Sequence, residues 1–435
     1  GYNAELDLSS PSFHTLGCHD EHISHAAATK GPAMCGIVGV VACDPTDDAR
    51  YLPAMCETLA HRGPDDSGLW SSPDRRIHLG HRRLSIIDLT PGGHQPMRSD
   101  DEVHVLVFNG EIYNFSELRK ELQARGVRFH STSDTEVLLQ AYRTWGTDCL
   151  ARFDGMFAFA LYDAHEQRVF LARDRAGEKP LFYCHQHRRL SFASETKALL
   201  AHPGIPARFN AAGLNEYLTY GYVSSDRCLL NGLAKLPPAH AMEYDLRTDR
   251  LRVWRYWSLP PEAPKESADE QELQERFTYL LRESVRRRLI ADVPVGIMLS
   301  GGLDSSLVTA MAAEVSSRPV KTFTVVFPGE KKYNEGPYAK LVSEHFGTDH
   351  MELVCEAADV SLLESLARQY DEPISDSSMV PTYLVSRQIH RHATVALGGD
   401  GGDELFGGYE QHRLDLRLYR WRRFFPSPLR KFLRT

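Results

Sequence analysis

From residue 35 to about 200, apolar residues gather in short runs broken by polar turns, and beyond about residue 270 strand-length runs alternate with helical patterns. "CGIVGVVA", starting at Cys35, predicts a buried strand. "ARYLPAMCETLAHRG" predicts an amphipathic helix stopped by glycine. "HVLVFNGEIYN" predicts a strand running into a turn. "FSELRKELQARG" predicts a helix with Ser116 near its start and Gly126 past its end, and "DTEVLLQAYRTWG" repeats that form. "MFAFALYDA", "RVFLARDR", "LFYCH" and "LSFASE" read as an antiparallel meander. Such strands and helices predict a layered α+β domain.

Residues 258–270, "SLPPEAPKESADE", combine prolines with charge and read as a linker. Leu273, Phe277, Leu280, Leu281 and Val285 then recur at helical spacing. "VPVGIMLSGGLDSSLVTAMAAEV" follows as strand, Gly/Ser turn and helix, and "KTFTVVF", "MELV" and "ATVALGG" are further strands between helices. That alternation predicts a parallel α/β sheet with a ligand at the C-terminal strand ends. Residues 1–33 show neither period and are expected to be disordered or absent from the mature protein. The expected organisation is an extension at 1–34, a first domain at 35–257, the linker at 258–270 and a second domain at 271–435.

Composition narrows the class. A chain of 435 residues exceeds one ordinary domain. Apolar content of 42% and charged content of 25% fit a globular protein with a sizeable core. A net charge of −8 gives no reason to expect a nucleic-acid partner. No apolar run approaches the ~18 residues of a membrane span, and residues 1–33 lack a secretory pattern. The eight cysteines are scattered without a CxxC pair, which reads as reduced cytoplasmic thiols.

One of these cysteines follows a methionine, in "AMCGIVGV". A thiol of ordinary pKa needs a base, and an α-amine titrates near neutral pH. With Met34 removed, Cys35 would carry nucleophile and base on one residue, as N-terminal threonine hydrolases do. An amide nitrogen there cannot act as a base, so residues 1–34 are expected to be absent or cut away.

The surrounding strings raise the odds that this matters. "HRGPDDSG" (61–68), "LGHRRLSIIDLTPGGHQPM" (79–97), "FNGEIYN" (108–114), "SDTE" (133–136), "RDRAGEKPLFY" (173–183) and "FASETKAL" (192–199) resemble the glutaminase domain of class II glutamine amidotransferases. The resemblance implies an N-terminal-nucleophile αββα fold. It makes Arg62 the partner of the glutamine carboxylate and Asp134 that of its ammonium, with Glu111 in the same binding set. Asn109 and the backbone N–H of Gly110 would face the tetrahedral oxyanion. Taken alone, Arg62 and Asp134 equally suit a surface ion pair, and Asn109-Gly110 a hairpin turn.

"SGGLDSS" (300–306) follows a predicted strand and opens a helix, where amide groups can cradle phosphate. It has neither the Walker lysine nor a GxGxxG spacing. It resembles the PP-loop of ATP pyrophosphatases. "LGGDGGDELFGGY" (397–409) sets acids among glycines, and Asp304 and Asp403 suit Mg²⁺ if the two loops meet.

Both halves together resemble glutamine-dependent asparagine synthetases. The resemblance implies ammonia from glutamine, ATP as cosubstrate, an adenylated aspartate and a possible homodimer. It places Leu299, Val325, Gly398 and Gly399 around adenosine, and Ser300, Gly301, Gly302, Asp304, Ser305 and Ser306 around pyrophosphate and Mg²⁺. Asp400 stands where the family often has a glutamate handling the amine proton, and "YDEPISDSSMVPTYLVSR" (370–387) falls at the acceptor pocket. Family members continue further, so a truncated chain is expected here, ending in a basic, partly amphipathic tail at 413–435. Two other readings stay open: the same chemistry on another carboxylate, such as a sugar acid or peptide, or a non-catalytic remnant.

Overall fold

The computed structural model describes residues 34–224, 226–261, 269–326, 334–355 and 360–422. The expected extension, most of the linker and the end of the basic tail lie outside the described residues.

The first domain begins with β1 (Gly36–Ala42), β2 (Asp66–Ser71), β3 (Ile77–Arg83), β4 (Met97–Arg98), β5 (His104–Ile112) and β6 (Gly155–Asp163). It continues with β7 (Arg168–Arg173), β8 (Phe182–Gln186), β9 (Arg189–Ala193), β10 (Ala234–Lys235), β11 (His240–Asp245) and β12 (Arg250–Arg255). Its helices are α1 (Leu52–Glu57), α2 (Phe115–Ala124), α3 (Asp134–Trp145), α4 (Thr196–Leu200) and α5 (Ala211–Tyr220). Two six-stranded sheets form, ordered β10-β8-β9-β1-β3-β2 and β12-β11-β7-β6-β5-β4.

Side chains alternate across a strand, so each central strand serves two layers. In β1, Ile37 and Val41 point to the other sheet, where Val105, Val107, Ala158, Ala160, Val169 and Leu171 meet them. Val38 and Val40 point the other way, onto Leu52, Met55 and Leu59 beside α1 and onto Leu199 of α4. In β5, Leu106 and Phe108 face Leu118 and Leu122 of α2 and Val137 and Leu138 of α3. The result is helix, sheet, sheet, helix, as the resemblance implied.

Three local expectations change. The strands expected in one meander form two hairpins in different sheets, β6 with β7 and β8 with β9. The chain crosses between sheets at 174–181, where buried Asp174 accepts the amides of Ala176, Glu178, Lys179 and Phe157. The helix expected over 49–63 shrinks to α1 after a 3-10 turn at Asp48–Arg50. Ser116 lies inside α2 and does not cap it. Asn114 precedes that helix, and its side chain bonds Asp154 N and Arg152 O instead.

The second domain comprises α6 (Glu270–Arg288), β13 (Val295–Met298), α7 (Leu303–Val315), β14 (Lys321–Val326), α8 (Gly336–Phe346) and β15 (Asp349–Val354). Then come α9 (Val360–Gln369), α10 (Met379–Ile389), β16 (Val395–Leu397), α11 (Gly402–Phe406) and α12 (Glu410–Arg422). Its sheet, β15-β14-β13-β16, is parallel throughout, as the alternation predicted. The stripe expected on α6 is only partly used: Val285 packs on Ile297 and Ala312, while Leu273 and Leu280 stay exposed. The domains join through hydrogen bonds from Asp292 N to Ile86 O (2.9 Å) and from Asp88 N to Asp292 Oδ2 (2.8 Å). Arg287 reaches Asp154 across the same seam (2.5 Å).

Asn109-Gly110 is no hairpin turn; it lies within β5, opposite Ala158 and Phe157 of β6. A Cβ at Gly110 would stand 2.2 Å from Met156 O, which is backbone and cannot swing aside. Gly110→Ala is therefore expected to destabilise the first domain by roughly 1–3 kcal/mol, read as a lower midpoint of its urea unfolding.

Candidate active site at the domain seam

Cys35 precedes β1, which lies between β9 and β3 in the first sheet. Leu84 N donates to its sulfur (3.4 Å), and Arg62 Nε donates to its carbonyl oxygen (2.9 Å). Burial pushes the thiol up to about 11; the Leu84 amide and Arg83 oppose the shift, while Glu111 and Asp134 add to it. With Met34 joined to its nitrogen, this thiol stays protonated at neutral pH.

Cys35 shares a cavity of about 270 Å³ with Met34, Asn109, Gly110, Glu111 and Lys179. Asn109 is buried and its Nδ2 has no hydrogen-bond partner. An orphaned buried donor is costly, and Asn109 is one of the residues lining the cavity that holds the thiol.

Arg62 lines a neighbouring cavity of about 560 Å³. Met34 lines both cavities and so stands on their common boundary. The guanidinium is held by Glu195 (2.8 Å), while Nη2 is buried and has no hydrogen-bond partner among the described residues. The carboxylate partner of Arg62 is therefore Glu195, and a surface ion pair with Asp134 is ruled out. Two arms of Arg62 are fixed and one is open, which suits a substrate carboxylate.

Asp134 is buried at the start of α3 and accepts the Ile112 amide (3.0 Å). Burial raises its pKa to about 6. Burial and the nearby Asp134 hold Glu111 well above the usual carboxylate range. A buried acid beside a half-buried one favours a cation between them, which fits the ammonium of an amino-acid substrate. Asp134 itself lines neither cavity.

In the second domain, the turn after β13 rises into α7. Ser300 and Ser305 hydroxyls bond each other (2.9 Å), and Ser300 Oγ also accepts Gly302 N (3.2 Å). A cavity of about 360 Å³ is lined by Leu299, Ser300, Gly302, Asp304, Ser305, Val325, Gly398, Gly399 and Asp400. The predicted residues Gly301, Ser306 and Asp403 are not in its wall. Gly301 adopts φ +78° against Tyr338, Ser306 N bonds Gly302 O within the helix, and Asp403 lies in the first turn of α11. The two loops do meet: a Cβ on Gly402 would fall 2.6 Å from Asp304 Cγ. Among the described residues no cluster of three metal-ligating side chains forms.

The segment 368–375 ties the domains beside Arg62. Asp371 accepts the amides of Thr196 and Lys197. Lys197 Nζ donates to Gln369 O (2.8 Å) and pairs with Glu195 (3.0 Å). Glu372 pairs with Lys235 (2.5 Å), and Ser375 N donates to Gly221 O (2.8 Å).

The Glutamine amidotransferase domain family matches residues 34–257, and the Asparagine synthase family matches residues 276–435. The chain belongs to the asparagine synthetase family. Asparagine synthetase (glutamine-hydrolyzing) 3 of Bacillus subtilis is 38% identical over 86% of this chain. A Methanocaldococcus jannaschii protein, provisionally named in the same terms, is 37% identical over 92% of the chain and 80% of its own length. Amidase chry2 of Gibberella zeae is 32% identical over 90% of the chain and 59% of its own length. The chain spans 63% of the length of the Bacillus subtilis family member.

Sequence reading missed Lys179, Glu195, Met298 and Glu335, each of which lines at least one of these cavities. Asp371, in the stretch expected at the acceptor pocket, lines the Arg62 cavity. "GEKP" and "SETK" were visible strings, but nothing local says that Glu195 holds Arg62.

Two outcomes follow for protein carrying a free amine on Cys35. Asn109→Ala is expected to lower glutaminase kcat about 100- to 1,000-fold, the range for one lost oxyanion donor, with a small change in KM. The second concerns pH. Asp134 must be ionised to hold an ammonium, and its raised pKa means that it protonates as pH falls through about 6. The KM for glutamine should therefore climb below pH 6, and Asp134→Asn should raise KM at neutral pH and abolish that climb.

Proposed function

We propose that the chain is a glutamine-hydrolysing asparagine synthetase. Cys35 Sγ attacks the glutamine amide carbon while its proton passes to its own α-amine. The amide C–N bond then breaks, and the nitrogen leaves as ammonia with that proton. Water cleaves the thioester to glutamate. In the second domain, the aspartate β-carboxylate attacks ATP to give an acyl-adenylate and pyrophosphate. Ammonia displaces AMP and leaves asparagine.

The observation that carries this reading is the wall of the thiol cavity. Its far side comes from the second domain: Met298, Ile389, Ala393, Val395 and their neighbours. Met298 also lines the cavity of the Gly/Ser turn. Neutral ammonia released at Cys35 therefore meets an apolar wall shared with the ATP site, where water competes poorly for the adenylate.

The Gly/Ser turn supplies amide and hydroxyl donors for ATP phosphates. Asp304 and Asp400 line the cavity, and Asp403 follows Gly402, which meets Asp304; carboxylates of this kind suit Mg²⁺ beside phosphate. Asp304 and Asp403 would hold the ion, which screens phosphate charge when bound. Asp400 lines the cavity and would handle the amine proton, with a shorter reach than the glutamate common in the family.

The likeness to a protein named an amidase favours keeping a second reading, in which another carboxylate takes the place of aspartate. AMP release from ATP and glutamine, measured with aspartate and with a panel of sugar acids and peptides, separates the two. Aspartate-dependent AMP and asparagine are expected. AMP with another acid alone selects the second reading, and no AMP with any acid overturns both. A bulky Met298→Trp is expected to cut glutamine-dependent synthesis at least tenfold while ammonium-dependent synthesis and glutaminase activity persist.

A further inference from the structure

Lys179 lies in the thiol cavity, and neither the fold nor the chemistry above uses it. It is 6% exposed. Its backbone is fixed at both ends: Lys179 N donates to Asp174 Oδ2 (3.0 Å), and its carbonyl accepts from Arg173 Nε (2.7 Å). The crossing between the two sheets thus delivers this side chain at a set position beside β1.

Its ammonium has a poor partner. Nζ donates to Met34 Sδ (3.0 Å), and a thioether is a weak acceptor. Among the described residues Lys179 forms no ion pair, whereas Lys197 and Lys235 at the seam both do. A buried unpaired cation is a stability liability. Burial lowers the pKa of Lys179, as does Arg62, while Glu111, Glu178 and Cys35 act in the other direction. Positions that spend stability in this way are commonly functional.

The other cations near Cys35 are already engaged. Arg62 is held by Glu195, and Arg83 donates to the carbonyls of Ile87 (3.2 Å), Asp88 (2.5 Å) and Thr90 (3.3 Å). Among the charges acting on the sulfur are Glu111 and Asp134, acids that oppose thiolate formation, and Arg83, which favours it. Lys179 and Met34 line the same cavity as Cys35, and Met34 Sδ takes the ammonium's hydrogen bond. In the proposed function Met34 is the residue whose loss creates the amine.

We propose that Lys179 is a charge-stabilising residue of the thiol site: once Met34 is gone, its ammonium faces Cys35 and favours both the thiolate and the unprotonated α-amine. This rests on the reading that Cys35 hydrolyses glutamine. Lys179 transfers no proton. The S–H proton still passes to the α-amine, and the carbonyl electron pair still moves to the oxygen facing Asn109. A neighbouring positive charge makes protonating an amine harder and ionising a thiol easier, so both effects carry the reactive form to lower pH.

The test uses the full two-domain chain with Cys35 as its first residue, verified by intact mass. The rate of alkylation of Cys35 by iodoacetamide is followed against pH by peptide mass spectrometry for wild type, Lys179→Met and Lys179→Arg. Labelling by a diazoketone glutamine analogue is followed in parallel. Lys179→Met is expected to move the alkylation midpoint up by about one pH unit and to slow analogue labelling at pH 7 about tenfold. Its melting temperature should be unchanged or higher. Lys179→Arg should stay near wild type, and Lys179→Gln provides a second neutral variant should the Met variant lose its melting transition. An unmoved midpoint in the neutral variant overturns the inference, as does an equal shift in the Arg variant, because shape and not charge would then be responsible. A wild-type enzyme inert to the analogue defeats the glutaminase reading and this inference together.

Discussion

A nucleophile and its base can share one residue only where the backbone nitrogen is a free amine, and the first domain is arranged around that constraint. Cys35 is gripped on two sides. Arg62 holds its carbonyl oxygen and the Leu84 amide holds its sulfur. The remaining group is the nitrogen, joined to Met34 at the boundary of the two cavities. A buried thiol raised to about 11 has no reason to ionise until that nitrogen becomes basic. In the proposed function, the same neighbours would hold the thiol in place once that nitrogen is an amine.

The grip on Cys35 extends into the other domain. From the Cys35 carbonyl, contacts run through Arg62, Glu195 and Lys197 to the end of α9 and to Asp371. Buried ion pairs are weak evidence for stability, because desolvation offsets much of the attraction. Their geometric demands are strict, however. A glutamate that must satisfy Arg62, His61 and Lys197 together has little freedom, so the position of Arg62 depends on a segment more than 300 residues away in the chain. The Arg62 cavity is a product of both domains and not of the first alone.

How much of this could be read from sequence depended on whether the cause was local. The strands of β1 and β5, the glycine after α2 and the parallel sheet came from periodicity and turn residues, which act over a few positions. Cys35 came from the methionine before it and the chemistry of an N-terminal thiol, Asn109, Gly110 and Arg62 came from long strings, and the structure gathers all four around adjoining cavities. Ser116 misled because a capping preference is weak and Asn114 found a tertiary partner in Asp154. The meander misled because a polar turn between strands looks alike whether the next strand joins the same sheet or the facing one. Lys179 stayed hidden for a related reason. A lysine in a loop string reads as solvated, and only the fold reveals that its neighbours leave it buried and unpaired.

The closeness of the two sites has a topological cause. In a parallel sheet the phosphate-binding turn must follow the C-terminal end of a strand, and β13 is a central strand with Met298 as its last residue. The next residue, Leu299, already belongs to the nucleotide cavity. The end of α10 and β16 surround that strand end and turn Ile389, Ala393 and Val395 toward Cys35. One strand end therefore borders the thiol cavity on one side and carries the Gly/Ser turn on the other, with Met298 in the wall of both. Had the turn followed an edge strand, the same two motifs could coexist in one chain and still hand their intermediate to bulk water, where an ammonium ion has no lone pair to offer.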